Sequence, residues 1–481
     1  MKWAPSRYVV IPLIVACGLF MENLDSTVIA TALPSIAASL HEDPLRLNLA
    51  ITCYLLSLAI FIPVSGWMAD KFGARTIFRA AIIVFMLGSI ACGLSSTLPE
   101  LVAARVFQGM GGAMMVPVGR LIMLRSIPKA KLVSAMSYLT VPALIGPVIG
   151  PPLGGFIVTY FSWPWIFFIN IPIGLLGVVL VTKLIENVKE ADVPKLDVRG
   201  FALIGLALAG LVFGFETIGR GAIPVPATIA LLVSGAICAG LFAWHAKGRA
   251  NPAVDFTLLR FPTLRASIFG GFLFRAGIGA LPFLLPMMLQ LGFGLSALSS
   301  GLLTFASAAG AMTMKVTAGP IIRSWGFRRV LIFNAVISAA FMLSYSQFGG
   351  ATPHAVIFIA LLAGGFFRSL QFTSINTLGY ADVPPALMSR ATSFTSMMQQ
   401  LSLSVGVGIG ALVLHFTIGF NGGGEIGASD FMPAFITVGL ISMSSIVFFI
   451  GLRHDAGAEV SGHRLQKKLE EVAELEKQAA E

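Results

Sequence analysis

The sequence predicts an all-α integral membrane protein with about 14 transmembrane helices, built as two six-helix bundles with an inserted two-helix hairpin. Of its 481 residues, 56% are hydrophobic and only 11% are charged. Apolar runs of about 20 residues, the length that a helix needs to cross a bilayer, recur along the chain. The frame GWMADKFGARTIF from Gly66 to Phe78 returns as GPIIRSWGFRRV from Gly319 to Val330, which indicates that one half-molecule is used twice.

Hydropathy places the spans in order along the chain. The first six are expected near residues 8–36, 47–69, 77–96, 101–123, 134–160 and 165–184, and the last six near 264–290, 297–321, 329–348, 353–378, 393–418 and 431–451. Two spans near 199–217 and 224–244 have no counterpart in the repeat. The predicted domains are an N-terminal six-helix bundle (1–184), a linker with the two extra helices (185–263), a C-terminal six-helix bundle (264–452) and a cytoplasmic tail helix (453–481).

The basic residues of the loops are distributed unevenly. If the N-terminus is inside, the outer connections hold only Arg46 and Arg220, and the other loop lysines and arginines fall inside. This positive-inside pattern predicts cytoplasmic termini and a multi-pass protein of the inner (cytoplasmic) membrane. The formal charge of +10 could also suggest nucleic acid, but that partner requires basic residues clustered on one solvated face. We therefore expect a lipid bilayer as partner and no nucleic acid.

Several strings resemble the signatures of one transporter family. GWMADKFGAR (66–75), LVAARVFQGMGGAMMVP (101–117) and GPVIGPPLGG (146–155) resemble the loop, fourth-helix and antiporter fifth-helix signatures of the major facilitator superfamily. LDSTVIATALP (24–34) and WPWIFFINIPIG (163–174) resemble its 14-span drug:proton antiporter branch, the EmrB and QacA relatives, and MVPVGRL and ALPFLLPMMLQ are similar to MdtD-type members. The resemblance covers the chain except its tail and implies the major facilitator fold and drug:proton exchange.

Enzyme chemistry is not indicated by the sequence. It has no HExxH pair, no GxSxG elbow, no Walker-type GKS or GKT and no Cys/His cluster. We therefore expect no enzyme activity, no metal and no cofactor. Without a nucleotide-binding loop, the energy source that remains for a transporter is an ion gradient, here a proton gradient.

Two carboxylates lie well inside the first span. Glu22 and Asp25 are three residues apart and so lie on nearly the same face of a helix. A carboxylate at that depth is costly unless it faces a cavity or a partner, and it can escape that cost by taking up a proton. We predict that Asp25 is the main proton-responsive group and that Glu22 assists it. The alternative for both is a fixed hydrogen bond between helices.

Arg105 begins the fourth span from its outer end. A fixed positive charge close to a carboxylate influences when that carboxylate binds a proton. The family resemblance implies this role for Arg105, and we expect it to tune Asp25. The alternative is a static salt bridge.

The loop frame carries the residues of a predicted cytoplasmic gate: Gly66, Asp70, Gly73, Arg75 and Arg79. The glycines permit close helix approach and a tight turn. Charge contacts of Asp70 and the arginines are expected to latch the two bundles together and to release as the bundles rock. The alternative is that the arginines only fix topology.

The fifth-helix motif consists of residues that let backbones touch: Gly146, Pro147, Gly150, Pro151, Gly154 and Gly155. Small residues at a spacing of four allow close helix packing, and proline is tolerated in membrane helices because neighbouring groups satisfy the freed carbonyls. By resemblance, this face is expected to seal the interface between the bundles.

Two arginines are predicted to face a substrate cavity. Arg275 and Arg368 fall about halfway along their spans, where an unpaired guanidinium is costly, and spans nine to fourteen have no acidic residue at comparable depth. Their partners would be Asp25 or Glu22, polar and backbone groups, or an anionic or zwitterionic substrate. The same cavity is expected to contain the amides Gln108, Gln371, Asn376, Gln399 and Gln400. The alternative for these amides is hydrogen bonding between helices.

Together, these features predict a proton-coupled antiporter that exports amphipathic organic compounds or drugs across the inner membrane by alternating access. Its expected partners are a small amphipathic substrate and protons. An exporter of one endogenous metabolite or lipid-like anion stays open as an alternative, as does a transporter-like sensor. The involvement of a periplasmic adaptor also stays open.

Overall fold

The computed structural model describes residues 7–127, 129–190, 193, 195–217, 224–249, 252–384, 387–422 and 426–461. Within these ranges the chain forms helices and turns, with no strand. The predicted tail helix begins at 453, and its residues from 462 onward lie outside the described part. The all-α prediction is confirmed for the part of the chain that is described.

Six helices form the first bundle: α1 (Arg7–Leu40), α2 (Asn48–Phe72), α3 (Ala74–Leu94), α4 (Leu98–Ser126), α5 (Lys129–Tyr160) and α6 (Asn170–Leu184). The hairpin consists of α7 (Val198–Glu216) and α8 (Val225–Lys247). The second bundle begins with α9 (Pro262–Gly279, continued by Leu281–Met287) and includes α12 (His354–Leu378), α13 (Met388–Phe420) and α14 (Met432–Ser444, continued by Ile446–Ile450). Its other two helices, α10 and α11, are the parts of Ala297–Ser344 before and after Gly326.

The connection between α10 and α11 is shorter than predicted. We expected two spans separated by a loop near residues 322–328, and the structure has two helices that meet at a kink at Gly326. Gly326 has φ 71° and ψ 157°, a conformation that glycine adopts readily because it has no Cβ. Gly73, its counterpart in the first copy of the frame, has φ 93°. The repeated glycine therefore makes the same sharp turn in both bundles.

The helices have the dimensions of membrane spans. Among the described residues, thirteen helical segments are long and apolar enough to cross a bilayer. The remaining helix, α5, is 32 residues long, and its apolar part among the described residues is Ile145–Tyr160. The protein is therefore a multi-pass membrane protein.

The two bundles touch mainly at one end. We call the end that carries Lys71, Arg75 and Arg125 the basic end, and the other the opposite end. The polar contacts between bundles lie from mid-depth to the opposite end: Gln290 Nε2 donates to Thr31 O at 3.0 Å, and Ser404 Oγ donates to Thr52 O at 3.2 Å. Toward the basic end, the two bundles are separated by open space.

The α7–α8 hairpin packs on the outside of both bundles. Phe201 of α7 lies against Phe61 of α2, with ring centroids 5.7 Å apart. Ile204 of α7 belongs to the same apolar cluster as Leu56 of α2 and Phe394 of α13. The inserted helices therefore bridge the bundles along one side without entering the space between them.

Asp197 fixes the start of the hairpin. Its carboxylate accepts from Gly200 N at 3.0 Å, which caps α7, and lies 2.7 Å from His245 Nε2 at the end of α8. Burial raises the pKa of Asp197, but the hydrogen bonds from His245 and Gly200 outweigh burial, so that the pKa lies below its ordinary value. The stabilisation is therefore complete at neutral pH and is lost as the pH falls below about 4.

We predict that Asp197→Ala loosens the first turn of α7, because loss of an N-cap costs about 1 kcal/mol. Hydrogen exchange of the amides at 199–202 in detergent-solubilised protein should then be about fivefold faster than in wild type at neutral pH. Asp197→Asn is the matched control, because its amide oxygen still accepts from Gly200. Equal exchange in wild type and Asp197→Ala would contradict the assigned role.

Candidate functional site

The centre of the first bundle contains a buried ion pair. Arg105 of α4 donates from Nη1 to Asp25 Oδ2 of α1 at 2.5 Å, and both side chains are at most 1% exposed. Arg105 also donates from Nε to Ala50 O at 3.0 Å, and its guanidinium lies 4.1 Å from the centroid of the Tyr54 ring. The pair therefore joins α1, α2 and α4. Taking two charges out of water is costly, and such a pair is favourable only when further hydrogen bonds satisfy it.

Three polar side chains complete this network. Gln108 Nε2 donates to Asp25 Oδ1 at 2.8 Å, and Asn170 Nδ2 of α6 donates to the same oxygen at 3.1 Å. Both amides also donate to Ser89 Oγ of α3, at 2.8 and 3.2 Å. Asp25 therefore accepts from every partner, which is the arrangement that suits an ionised carboxylate. The carboxylate thus joins α1, α4 and α6, and Ser89 links α3 to it through the two amides.

Close helix packing brings these groups together. A Cβ added to Gly88 of α3 would lie 2.6 Å from Gln108 Cα, and one added to Gly109 of α4 would lie 2.6 Å from Ser57 Cβ of α2. Any side chain at these positions would push α4 away from α2 and α3. The QGxGG string therefore serves to place Arg105 and Gln108 as well as to pack the helix.

A cavity of about 570 Å³ lies between the two bundles beside this network. Its first-bundle wall includes Glu22, Tyr54, Arg105 and Arg120, and its second-bundle wall includes Asn376, Tyr380, Thr395, Ser396, Gln399 and Gln400. From Arg105 to Arg120 on α4, the lining extends about 20 Å toward the basic end. Glu22 Oε2 has no hydrogen-bond partner among the described atoms. The described wall of the cavity thus combines apolar and polar side chains and includes one carboxylate.

A second cavity of about 370 Å³ lies beside it, against α1, α5, α9, α10 and α12. It shares Thr27, Ile278, Pro282 and Phe372 with the larger cavity, so the two adjoin. Its lining is mostly apolar, with Arg368 and Lys315 as its charged members. No acidic side chain of the described chain is among its lining residues.

The predicted cavity residues divide into two groups. Asn376, Gln399 and Gln400 line the larger cavity, and Arg368 lines the smaller one. The other three lie outside both linings, which differs from the prediction: Gln108 belongs to the Asp25 network, Gln371 donates to Leu331 O at 3.0 Å within the second bundle, and Arg275 is fully buried behind the wall. Arg275 contacts the lining through Asn376, to which it donates at 2.6 Å, and through the Phe372 ring, whose centroid lies 5.3 Å from its guanidinium.

The loop frame makes its charge contacts within the first bundle. Asp70 accepts from Arg125 of α4 at 2.8 Å, and Arg125 also donates to Glu190 of the linker at 2.6 Å. The predicted latch between bundles is therefore not formed in this conformation. A Cβ at Gly66 would have no atom within 4 Å, so this glycine makes no close helix approach here, in contrast to the prediction.

The repeated arginine of the frame has the same contact in both bundles. Arg75 Nη1 donates to Ile185 O at 3.4 Å, at the end of α6. Arg328 donates from Nη2 to Ile450 O at 3.1 Å, at the end of α14. Each arginine thus ties the turn at Gly73 or Gly326 to the last helix of its own bundle, where helix carbonyls lack partners. Arg79 lies half-buried one turn beyond Arg75 on α3.

The motif on α5 packs against both α1 and the second bundle. Three of its glycines face α1. An added Cβ would lie 3.0 Å from Leu24 N at Gly146 and 2.6 Å from Val28 O at Gly154, and a Cβ at Gly150 would clash with Thr27. Gly155 faces α10 instead, and its Cβ would lie 2.8 Å from Leu298 Cα. Pro151 meets Gly301 of α10, whose Cβ would contact the Pro151 carbonyl, and Pro147 lines the smaller cavity. One helix face thus contributes to both interfaces.

Sequence reasoning missed several polar residues of these sites, among them Arg120 in the wall of the larger cavity. Asn170 and Ser89 complete the Asp25 network, Arg125 holds Asp70, and Lys315 lines the smaller cavity. Lys315 falls near the predicted inner end of its span, and its charge at that depth was an available signal. Asn170 and Ser89 carried no such signal, because single amides and hydroxyls are common in membrane helices.

The comparisons with known proteins agree with this architecture. The family described as the Major Facilitator Superfamily matches residues 15–407 and 267–476. The chain is 41% identical over 403 residues to the "Putative multidrug resistance protein MdtD" of Salmonella newport (strain SL254), a match that covers 83% of this chain and 85% of that protein. The protein of the same name from Salmonella typhimurium (strain LT2) gives the same identity and coverage.

Among solved structures, the "Crystal structure of D-xylose-proton symporter" is similar over 94% of this chain and 99% of that chain, with a TM-score of 0.66 and 15% identity. At that identity the likeness shows the fold alone. Fold, family match and the identity to the MdtD proteins lead to the same conclusion, and the resemblance noted in the sequence is confirmed. The chain belongs to the major facilitator superfamily and is a transporter.

Proposed function

We propose that this transporter is a proton-coupled antiporter that exports amphipathic organic compounds across the inner membrane by alternating access. The observation that carries this proposal is the buried Asp25–Arg105 pair next to a chamber between the bundles whose wall contains Glu22. The MdtD relatives, named for multidrug resistance, support an organic cargo.

Proton binding at Asp25 has a structural consequence. Protonation removes the charge that balances Arg105, and an uncompensated buried charge costs about 3–5 kcal/mol. Arg105 donates to the carbonyl of Ala50 on α2 as well as to Asp25 on α1. Relief of the cost therefore requires α1 to shift relative to α4 and α2, and this links protonation to a movement of helices.

Glu22 provides the route by which a proton reaches Asp25. It lies about one helical turn from Asp25 on α1, lines the chamber and has one carboxylate oxygen without a partner among the described atoms. A carboxylate at this depth that has no salt-bridge partner is stabilised by taking up a proton. Glu22 would thus exchange protons with the chamber, and Asp25 would respond to its charge.

Alternating access follows from the positions of the contacts and of the chamber. With the basic end in the cytoplasm, as the loop charges favour, this conformation faces inward. Export then requires the contacts at the opposite end to separate and the basic end to close. Gly66 and Gly319, at the start of the two frames, have no atom within 4 Å of an added Cβ, which leaves room for that closure. Asp70, Gly73, Arg75 and Arg79 would complete the gate in the closed state.

A narrow-specificity exporter of one anionic metabolite is the second candidate. The observation that favours it is the smaller cavity, in which Arg368 and Lys315 face apolar walls without an acidic residue among the described lining. Proton coupling through Asp25 is common to both candidates, so the two differ only in cargo.

We predict that Asp25→Asn abolishes coupling, because an amide at this position cannot change charge. In liposomes under an imposed proton gradient, the purified variant should show a substrate-triggered proton flux at least tenfold lower than that of wild type. Its substrate binding should stay measurable. Glu22→Gln should reduce the flux less, because Glu22 only passes protons between the chamber and Asp25. Equal proton-coupled transport by wild type and Asp25→Asn would rule out the assignment.

A control separates loss of coupling from loss of folding. Asp25→Asn leaves Arg105 buried without its counter-charge, whereas Asp25→Asn combined with Arg105→Met removes both charges. The double variant should be more stable than the single variant in thermal unfolding in detergent and should still lack coupling. Recovery of coupling in the double variant would show that Asp25 only balances Arg105.

We also predict that Gly155→Ala weakens the closed contact at the opposite end. Its Cβ would lie 2.8 Å from Leu298 Cα, so α5 and α10 must separate. Hydrogen exchange at 152–160 and 297–303 should increase, and transport should fall several-fold. Gly240→Ala on α8 is the matched control, because a Cβ there has no atom within 4 Å. The same exchange in wild type and Gly155→Ala would contradict a closed contact at this position.

A further inference from the structure

The smaller cavity contains two cations that only neutral groups contact. Arg368 of α12 donates from Nη2 to Ser307 Oγ of α10, and Lys315 Nζ of α10 donates to Thr373 Oγ1 of α12 at 2.9 Å. Ser307 and Lys315 are about two helical turns apart, so the cations mark two levels of the same groove between α10 and α12. Hydroxyl groups orient these side chains but do not balance their charge.

The protein supplies no counter-charge from the second bundle. Between residues 264 and 452 the sequence contains only three acidic residues, Asp382, Glu425 and Asp430, all outside the spans predicted from the sequence. In the first bundle, Asp25 is already bound by Arg105, and Glu22 lies in the wall of the larger cavity. Arg368 carries a positive charge at membrane depth without an acidic partner, and Lys315, exposed in the same groove nearer the end of its span, adds a second positive charge, so a negatively charged ligand would lower the energy of both.

The remaining walls of the smaller cavity define the rest of such a ligand. They are formed largely by apolar side chains, among them Ile278, Leu281, Leu285 and Phe372. A volume of about 370 Å³ falls in the range of small-molecule sites. The site therefore suits an apolar body of modest size with one anionic group, and the adjoining larger cavity provides its route of entry.

We propose that Arg368 and Lys315 form the binding site for the anionic group, a carboxylate or sulfonate, of an amphipathic cargo molecule. This inference rests on the proposed function in so far as the ligand is cargo. The guanidinium and the ammonium hold the anion at the groove between α10 and α12, while the apolar body lies against α9 and Phe372. Selection among amphiphiles then depends on the sign of their charge.

The test uses three probes with the same aromatic body: 1-naphthaleneacetate, 1-naphthaleneacetamide and 1-naphthylmethylammonium. Equilibrium binding of each radiolabelled probe is measured on purified protein in neutral detergent at pH 7. Wild type should bind the acetate at least tenfold more tightly than the other two probes. Arg368→Gln and Lys315→Gln should each lower acetate affinity at least threefold and leave acetamide affinity unchanged. Lys183→Gln, which removes an exposed positive charge at the end of α6, should change nothing.

Arg368→Lys keeps the charge and should retain most of the acetate affinity, which separates charge recognition from a folding defect. Equal affinity for the three probes, preference for the ammonium, or no binding of the acetate by wild type would overturn the proposal. Displacement of the acetate by short-chain phosphatidylglycerol at a far lower concentration would also overturn it, because the natural occupant would then be a lipid. Because binding requires no proton gradient, failure here is distinguishable from failure of proton coupling.

Discussion

Burying the Asp25 carboxylate and the Arg105 guanidinium in the middle of a membrane protein costs several kcal/mol per ion unless other groups compensate. Much of the first bundle serves that compensation. Gly88 lets α3 approach Gln108, α6 delivers Asn170, and α2 offers the Ala50 carbonyl and the Tyr54 ring. The ion pair thus depends on the positions of five helices. For the same reason, any change in the charge of Asp25 alters the interactions that hold all five helices in place.

The chamber between the bundles follows from where the helices are allowed to touch. Gly155 and Gly301, near the opposite end, have no bulky side chain and let α5 and α10 meet there. Toward the basic end, Gly66 and Gly319 face open space. The same residue type therefore marks a contact at one end of the molecule and room for movement at the other. A transporter that exposes one chamber to two sides in turn needs both.

Hydrophobic length and the internal repeat were enough to predict the fold class, because both are properties of local sequence. The pairing of Asp25 with Arg105 was predictable only through family resemblance, since 80 residues separate them in the chain. The positions of Gln108 and Gln371 could not be predicted, because an amide on a membrane helix fits a cavity wall or a contact between helices equally well. The repeat showed that Arg75 has a counterpart in Arg328, but it did not predict their role. In the structure both arginines make the same contact with a helix end, which indicates a structural role common to both bundles.

The two bundles share a frame but differ in charge. In the first, Arg105 is balanced by Asp25, whereas in the second, Arg275 is held by the neutral amide of Asn376. The walls of the two adjoining cavities therefore carry Glu22 together with Arg105 and Arg120 on the first-bundle side, and the cations Arg368 and Lys315 on the second-bundle side. Because the two cavities adjoin, a charged ligand beside one wall changes the electrostatic energy of a charge on the other. This electrostatic link needs no direct contact between the two charges, and it acts through a chamber that both bundles enclose.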